Sequence, residues 1–448
     1  MVVLLIGLLF YLGFSLTEGT TNSRFLQIGF SVGVLVYLAT FVDILLGIAF
    51  LIACIGLGPE VSWGGMGDLR LEDFIVPALL LSWLTRGAHR REKLVPSPLS
   101  RPARVFFALM LISTAIGIAA GSTAWSKAWP VLLKYVEYYV IFLILLNNVR
   151  TPEEFRGLAV FALLVAAASA LLHWAGHPEG SAGRLHGPVG ETANIFGGYL
   201  ALHLAMGLGL LLHSRTPGSR LLAVAGILVV GGALLRTLSR TSYVALVLGA
   251  AVFGVFKDRR LLLFLLLLVF VLPFVPESAL SRIETLGDLA SGPGPSSWTA
   301  RVMAWDDVLA KLSGVQYLWG QGAGSTPLGD VDNEYFRILA DHGLLGVGLF
   351  AWLLVRLGRR ANQAYHALPP GTVYRGYAAG FLIAFVTMAV HAVGATSFTS
   401  IRTMEGFVVL SGLVAALEHN LVSWQLVPDP EPPSPAVLPF PGPRPLPR

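Results

Sequence analysis

Long apolar segments joined by short polar connections make up most of the chain. Many of them approach the roughly 17–25 apolar residues that a helix needs to cross a bilayer. The pattern predicts about 12 to 14 membrane spans, at residues 1–16, 27–41, 42–58, 70–86, 103–121, 128–147, 157–174, 192–213, 219–235, 241–256, 261–275, 344–357, 375–396 and 404–422. Residues 27–58 fit either one long tilted helix or a tight hairpin around Val42 and Asp43.

The apolar segments lack the alternation of polar and apolar positions that is typical of a membrane β-barrel. Residues 261–271, for example, are continuously apolar. In lipid each backbone polar group must be paired within its own segment, which favours helices. The sequence therefore predicts an all-α, polytopic transmembrane helix bundle with one large, partly helical external loop.

The same pattern predicts four regions. Residues 1–275 form the first part of the bundle, residues 276–343 form the large external loop, and residues 344–424 form the C-terminal transmembrane helices. Residues 425–448 are rich in proline and are expected to form a disordered cytoplasmic tail.

Composition narrows the class of protein further. Of the 448 residues, 55% are hydrophobic and only 13% are charged, and the mean hydropathy is +0.70. This charge content is too low for an ordinary soluble enzyme or a disordered protein, and one cysteine excludes a disulfide scaffold.

Basic residues predict the orientation in the membrane, because cytoplasmic loops carry an excess of Lys and Arg. They concentrate in five loops that alternate with the predicted spans. Those loops hold Arg86, Arg90, Arg91, Lys93, Arg101 and Arg104; Arg150 and Arg156; Arg215 and Arg220; Lys257, Arg259 and Arg260; and Arg356, Arg359, Arg360 and Arg375. We expect these five loops to be cytoplasmic, the large loop to face outward, and both termini to be cytoplasmic if residues 27–58 form two spans.

A second, smaller group of arginines falls on the predicted outer face, where insertion does not require them. It includes Arg184, Arg236, Arg240, Arg301 and Arg337. A guanidinium group can bind phosphate oxygens bidentately, so this group indicates a phosphate ligand. For any single arginine, headgroup contacts, snorkelling or pairing with nearby acids is the better explanation. Arg240 favours the ligand, because it begins a helix between Ser239 and Thr241 in an apolar stretch.

The large loop has its own predicted structure. The segment SWTARVMAWDDVLAKL has the periodicity of an amphipathic helix, and a Gly-rich turn, WGQGAGSTPLG, follows it. The apolar side of that helix would hold Val302, Trp305, Val308, Leu309 and Leu312.

A further helix is predicted at the end of the loop, with Asp332 as its N-cap. Glu334 with Arg337, and Arg337 with Asp341, have the spacing of ion pairs on one helix face. Gly343 and Gly346 permit a bend where the chain enters the membrane. Elsewhere, within a predicted span, the i,i+3 neighbours Lys134 and Glu137 are expected to pair in the bundle interior.

Several segments, taken in order, resemble the O-antigen ligase and O-antigen polymerase superfamily. LSRTSYVAL is similar to the Ser-Arg element of that family, and Arg301 with Trp305 precedes the Gly-rich WGQGAG. DNEYFRILADHGLLGVGLF is similar to its helix that runs into a Gly-Leu-x-Gly span. RLHGPVGETANIFGGYLAL resembles its Gly-x-Asn-x-Gly entry into a mid-chain span.

The resemblance implies an integral membrane glycosyltransferase of the bacterial inner membrane. Its donor would be a polyprenyl-diphosphate-linked oligosaccharide, and its acceptor a growing glycan or lipid A-core on the periplasmic side. Membrane lipids and other polysaccharide assembly proteins are the further expected partners. No metal, cofactor or nucleic acid is implied.

The resemblance also implies roles for particular residues. Arg240 and Arg301 match the arginines that bind the donor diphosphate, and Asp332 stands where the family's ligases carry a catalytic histidine. Polymerase and ligase both stay open, with this departure favouring a polymerase. The remaining candidates are Arg184 and Arg236 for the diphosphate, and Asn333, Glu334, Arg337 and His342 as supporting residues.

Two other classes of function compete with the enzyme. A transporter or flippase of small solutes or lipid-linked sugars would also carry internal charges such as Lys134 and Glu137. A scaffold in a polysaccharide assembly complex would use the Pro-rich tail for docking.

Overall fold

A computed structural model describes residues 22–58, 60–62, 68–91, 94–176, 184–187, 191–267, 297–326 and 331–426. The predicted span at residues 1–16 and nearly all of the predicted tail lie outside the described residues. So do residues 268–275 of the predicted span at 261–275, and residues 276–296 and 327–330 of the large loop.

The described ranges are almost entirely helical. The helices are α1 (Asn22–Val42), α2 (Ile44–Leu57), α3 (Glu72–Arg90), α4 (Ser100–Ala119), α5 (Trp125–Asn148), α6 (Pro152–Gly176), α7 (Ala193–His213), α8 (Pro217–Thr237), α9 (Arg240–Phe256), α10 (Arg260–Leu267), α11 (Ser297–Lys311), α12 (Gln316–Trp319), α13 (Glu334–Ala367), α14 (Val373–His391) and α15 (Ile401–His419). Two short antiparallel strands, β1 (Glu60–Ser62) and β2 (Asp68–Arg70), connect α2 to α3.

Seven of these helices are long and apolar enough to cross a membrane, judged by length and composition. They are α4, α5, α6, α7, α8, α13 and α14, and α2 and α9 are shorter apolar helices. The predicted polytopic helix bundle is thereby confirmed. The larger number of spans expected from the sequence stays a prediction.

The ambiguous segment at residues 27–58 consists of two helices that meet at Asp43. The backbone of Asp43 is extended, with φ −151°. Its side chain accepts a hydrogen bond from the backbone N–H of Leu45 at 2.9 Å and so caps α2. An N-cap residue has a non-helical backbone and begins a new helix. Residues 27–58 therefore do not form one continuous helix.

The centre of the bundle is α7, which is buried on nearly all sides. A helix that is apolar all round lies in a protein core or spans a membrane, and the burial of α7 shows that protein surrounds it here. Its main neighbours are α8 and α14, and α9 packs against α14. Because α8 and α9 are antiparallel, this packing brings the starts of α7 and α9 and the end of α14 to one end of the bundle.

The helix α13 is broken at Gly343, as predicted from the sequence. The φ angle of Gly343 is 66°, a region that residues with a side chain rarely adopt. A Cβ atom at this position would also collide with the backbone of Leu318. The helix extends from Glu334 to Ala367, well beyond the predicted span at residues 344–357, and it begins within the predicted loop.

The amphipathic helix of the loop is α11. Val308 and Leu312 are buried against Val331 and Ala340. Trp305 stacks on another aromatic ring, Phe336 of α13, with 5.2 Å between ring centroids. Leu309 was expected on the same apolar side but is 38% exposed.

Candidate active site

Arg240 is the first residue of α9. The turn before it contains Leu238 at φ 51° and Ser239 as N-cap, whose side chain accepts a hydrogen bond from the N–H of Ser242. Arg240 is therefore held at a helix start, where exposed N–H groups and the helix dipole favour an anion.

Two other predicted phosphate-binding arginines lie at the same turn. Arg184 donates from Nε to the carbonyl oxygen of Thr237 at 3.1 Å. The N–H of Leu185 donates to the carbonyl oxygen of Arg236 at 2.8 Å. The guanidinium of Arg236 lies over the ring of Trp174, 5.2 Å from its centroid. The structure thus brings Arg184 and Arg236 to the start of α9, beside Arg240.

A chain of buried hydrogen bonds fixes this helix start to its neighbours. Ser239 Oγ donates to Asn194 Oδ1 at 2.7 Å and lies 2.8 Å from Ser242 Oγ. Ser242 Oγ lies 3.0 Å from Nε2 of His391. On the other side of the imidazole ring, Nδ1 lies 2.7 Å from Ser397 Oγ. The network joins the starts of α7 and α9 to the end of α14 and the loop that follows it.

The network contains four residues that were not predicted to belong to the site: Asn194, Ser242, His391 and Ser397. Ser242 and His391 are 149 positions apart, and no motif spacing links them. The only signal available was a set of polar residues at the ends of otherwise apolar helices.

The loop between α14 and α15, residues 392–400, connects this network to the start of α13. The N–H of Glu334 donates to the carbonyl oxygen of Ala392 at 2.9 Å. Two residues later, a Cβ atom on Gly394 would lie 2.9 Å from Cγ2 of Thr241. Since Cα atoms of neighbouring residues are about 3.8 Å apart, the starts of α9 and α13 face one another across this short segment.

The start of α13 carries Asp332 and Asn333. Asn333 is the N-cap, and its Oδ1 accepts hydrogen bonds from the N–H groups of Tyr335 at 2.9 Å and Phe336 at 3.2 Å. The prediction that Asp332 caps the helix is therefore wrong by one residue. Asn333 has the extended backbone that an N-cap needs, with φ −159°, and this leaves the carboxylate of Asp332 available for other contacts.

Asp332 is paired with Arg301 of α11. Arg301 Nη2 lies 3.4 Å from Asp332 Oδ2. The Asp332 side chain is 46% exposed, against 21% for that of Arg301. Among the described residues, the buried Nε of Arg301 has no hydrogen-bond partner. A buried donor without a partner is costly, so an incoming acceptor would be stabilised here.

The side chain of Glu334 stabilises the fold by binding a neighbouring loop. It is fully buried, and its two carboxylate oxygens accept hydrogen bonds from the N–H of Phe398 at 3.0 Å and the hydroxyl of Thr399 at 2.6 Å. It binds the loop at residues 392–400 rather than extending toward Asp332.

Arg337 and His342 lie further along α13. Arg337 Nε is 3.9 Å from Asp341 Oδ2, the spacing predicted for this pair. Asp341 also accepts a hydrogen bond from the hydroxyl of Ser325 in the Gly-rich segment, at 2.7 Å. His342 Nδ1 lies 2.8 Å from Ser113 Oγ of α4. These residues connect α13 to the Gly-rich segment and to α4.

A group of buried ion pairs surrounds Glu191, just before α7. Arg70 Nη2 lies 2.6 Å from Glu191 Oε1, and Arg402 Nε lies 2.8 Å from Oε2. Burial alone would raise the pKa of Glu191, but Arg402 and Arg70 outweigh it and hold the pKa below its usual value. Glu191 is therefore an anion that binds two helix ends together.

The predicted pair in α5 is also present. Lys134 Nζ lies 2.8 Å from Glu137 Oε2. It also contacts Asp73 of α3, and Glu405 of α15 lies 4.0 Å away. The predicted pairing is confirmed, as part of a larger buried ion cluster.

A cavity of about 230 Å³ lies beside α11 and the start of α13. Its lining includes Asp307, Lys311, Gln321, Thr326 and Val331. Val331 directly precedes Asp332, so the cavity is adjacent to the Arg301–Asp332 pair and offers polar groups of the kind that bind sugar hydroxyls.

Comparison with known proteins agrees with this arrangement. A family model described as O-Antigen ligase matches residues 225–351. The match includes Arg236, Arg240, Arg301 and Asp332, whereas Arg184 precedes it. None of the curated proteins matches the chain. The match covers residues 225–351 only, and together with the bundle of long apolar helices it supports the resemblance of this part of the chain to the O-antigen ligase and polymerase superfamily.

Proposed function

We propose that the chain transfers a glycan from a polyprenyl-diphosphate carrier to a sugar hydroxyl on the periplasmic side of the inner membrane. One observation carries this proposal. The Arg301–Asp332 pair and the start of α9 with Arg240 lie on either side of the loop at residues 392–400. Two cations and a half-exposed carboxylate at one end of the bundle suit a reaction that releases a diphosphate.

The chemistry follows from the charges involved. The acceptor hydroxyl attacks the anomeric carbon, the bond from that carbon to the diphosphate oxygen breaks, and the glycosidic bond forms. Negative charge develops on the departing diphosphate, and Arg240 and Arg301 stabilise it there. Asp332 orients the acceptor hydroxyl and accepts its proton. Arg184 and Arg236 add positive charge beside Arg240.

Polymerase and ligase differ only in the acceptor. A polymerase would extend a glycan, and a ligase would attach it to lipid A-core. Asp332 at the position of the ligase histidine favours the polymerase. The transporter alternative receives less support, because Lys134 is paired within a buried ion cluster and the family match points to glycosyl transfer.

Alanine substitution tests the proposal in cells that lack the native gene. We expect Arg240→Ala and Arg301→Ala to reduce polysaccharide synthesis by about 100-fold or more, the usual effect of removing one group that stabilises developing charge. Arg101→Ala is the matched control, since Arg101 is an exposed arginine in the first turn of α4. The amount of this protein in the membrane must be the same for all variants.

The outcome is measured as the amount and chain length of surface polysaccharide on gels. Normal amount and length in both site variants would overturn the enzymatic proposal at these residues. Long chains that stay on the lipid carrier, without transfer to lipid A, would exclude the ligase.

A further inference from the structure

A basic pocket lies at the far end of α9 from Arg240. It has a volume of about 260 Å³ and is bounded by the α7–α8 connection, the α9–α10 connection, and the ends of α13 and α14 that face each other. Since α9 has 17 residues, the pocket lies about 25 Å from the start of that helix. Its five basic side chains are Arg215, Arg220, Lys257, Arg260 and Arg375.

One carboxylate, Asp258, lines the pocket, and its charge is already matched. Arg260 Nε lies 3.0 Å from both oxygens of Asp258, and His213 Nε2 lies 3.5 Å from Oδ2. The hydrogen bonds from Arg260 lower the pKa of Asp258 despite its partial burial. Asp258 and Arg260 therefore cancel, and the other four cations have no carboxylate among the residues that line the pocket.

Neutral groups hold these cations in place. Arg220 donates from Nε to the carbonyl oxygen of Ser214 at 2.7 Å. Arg375 donates to the carbonyl oxygen of Leu368 at 2.9 Å, and its guanidinium lies over the Tyr365 ring, 4.7 Å from the centroid. These contacts fix the side chains of Arg220 and Arg375 without reducing their charge, and like charges around one pocket repel one another until an anion enters.

The backbone also holds Arg215 at the pocket. The N–H of Arg215 donates to the carbonyl oxygen of Gly371 at 2.9 Å, and Ser214 forms a parallel bridge with Gly371. Gly371 has φ 85°, and a Cβ atom there would lie 2.8 Å from Cδ of Arg215. The positive φ favours glycine at position 371, and a side chain there would crowd that of Arg215 where it lines the pocket.

Membrane insertion does not explain this convergence. The positive-inside effect depends on the number of basic residues in a loop, not on their arrangement around a cavity. Arg356 and Arg359 are exposed on α13 and do not line the pocket. They show that basic residues can contribute to the orientation of the chain in the membrane without lining a common cavity.

We propose that the basic pocket binds a phosphate group, at the end of the bundle opposite Arg240. Phosphate oxygens commonly accept charge-assisted hydrogen bonds from the guanidinium groups of arginine and the ammonium group of lysine. Two sources share this chemistry: the headgroup of an anionic phospholipid and free inorganic phosphate. Basic pockets between membrane helices are a known type of site for anionic lipid headgroups.

Thermal unfolding of the full-length protein in lipid nanodiscs tests the proposal. The probes are phosphatidylglycerol, added to phosphatidylcholine discs, and inorganic phosphate, added to discs of phosphatidylcholine alone. The pocket variant is Arg215→Gln with Arg220→Gln. The control is Arg356→Gln with Arg359→Gln, which removes the same charge from exposed side chains outside the pocket.

We expect one probe to raise the unfolding temperature of the unsubstituted protein and of the control. The pocket variant should bind that probe about tenfold more weakly or worse, because two cations are lost. A response to phosphatidylglycerol alone identifies the lipid headgroup, and a response to inorganic phosphate identifies the free anion. The proposal fails if the pocket variant and the control respond alike to both probes, or if neither probe acts.

Discussion

The Nε2 atom of His391, at the end of α14, lies 3.0 Å from the hydroxyl oxygen of Ser242 in the first turn of α9. Both side chains are buried. This contact holds the helix start that carries Arg240, although neither residue was predicted to belong to the site.

Replacing Ser242 by Ala would leave a buried ring nitrogen without this partner. We expect the free energy of unfolding to fall by about 1–3 kcal/mol, and glycan synthesis to fall as well, because the start of α9 is less well held. Denaturation in detergent micelles measures the first effect. Ser411→Ala is the matched control, since within the described ranges the buried hydroxyl of Ser411 bonds to Phe407 O of its own helix and to no other residue. An equal loss in the two variants would contradict the role of the contact.

Asp332→Asn tests the proposed base. The substitution keeps the size of a half-exposed side chain, so folding should be unchanged. Loss of general base catalysis should lower the transfer rate by about 100-fold or more. Glycan formation on the lipid carrier in isolated membranes measures the rate, with Asp306→Asn on the exposed side of α11 as control. Near-normal turnover would remove Asp332 from the mechanism.

Stability should depend on pH through Glu191. Because Arg402 and Arg70 lower the pKa of Glu191 in the folded chain, its ionised form stabilises the fold at pH values above its usual pKa of about 4.3. That contribution is lost as pH falls through the lower, folded pKa. Unfolding of the native chain should therefore become easier in acid.

The variant Glu191→Gln separates this effect from general acid sensitivity. It removes the anion that Arg402 and Arg70 share, although Glu72 still lies 3.5 Å from Arg70, so we expect a loss of about 3–5 kcal/mol at neutral pH. By the same linkage, the free energy of unfolding of this variant should change less between roughly pH 6 and pH 3 than that of the native chain. Parallel pH curves for the two proteins would show that Glu191 is not the responsible group.

Gly343→Ala should damage both fold and activity. The residue has φ 66°, and a side chain there would meet the backbone of Leu318. We expect a cost of about 1–3 kcal/mol for the strained backbone, and a shift of the α13 start that carries Asn333. Gly348→Ala in the same helix is the control, since open space surrounds that position; its stability should be unchanged or slightly higher. Thermal unfolding of both variants gives the comparison.

The sequence predicted those features that depend on local pattern. The apolar helices, the break at Gly343 and the Lys134–Glu137 pair were all predictable from periodicity and short spacing. The N-cap was misplaced by one residue, because both Asp332 and Asn333 are good capping residues and only the backbone decides between them. The site network was not predictable, since it joins Asn194, Ser242 and His391 across three helices.

The loop at residues 392–400 makes several of its contacts through main-chain atoms. Ala392 and Thr399 offer carbonyl oxygens, to the N–H of Glu334 and to the hydroxyl of Tyr138, and Phe398 donates its N–H to Glu334. Main-chain groups are the same for every amino acid. Apart from Ser397 and Thr399, whose hydroxyls contact His391 and Glu334, and the buried Phe398, the side chains of this loop could vary in related chains. An insertion or deletion, by contrast, would move the two helix starts apart and change the register of the site.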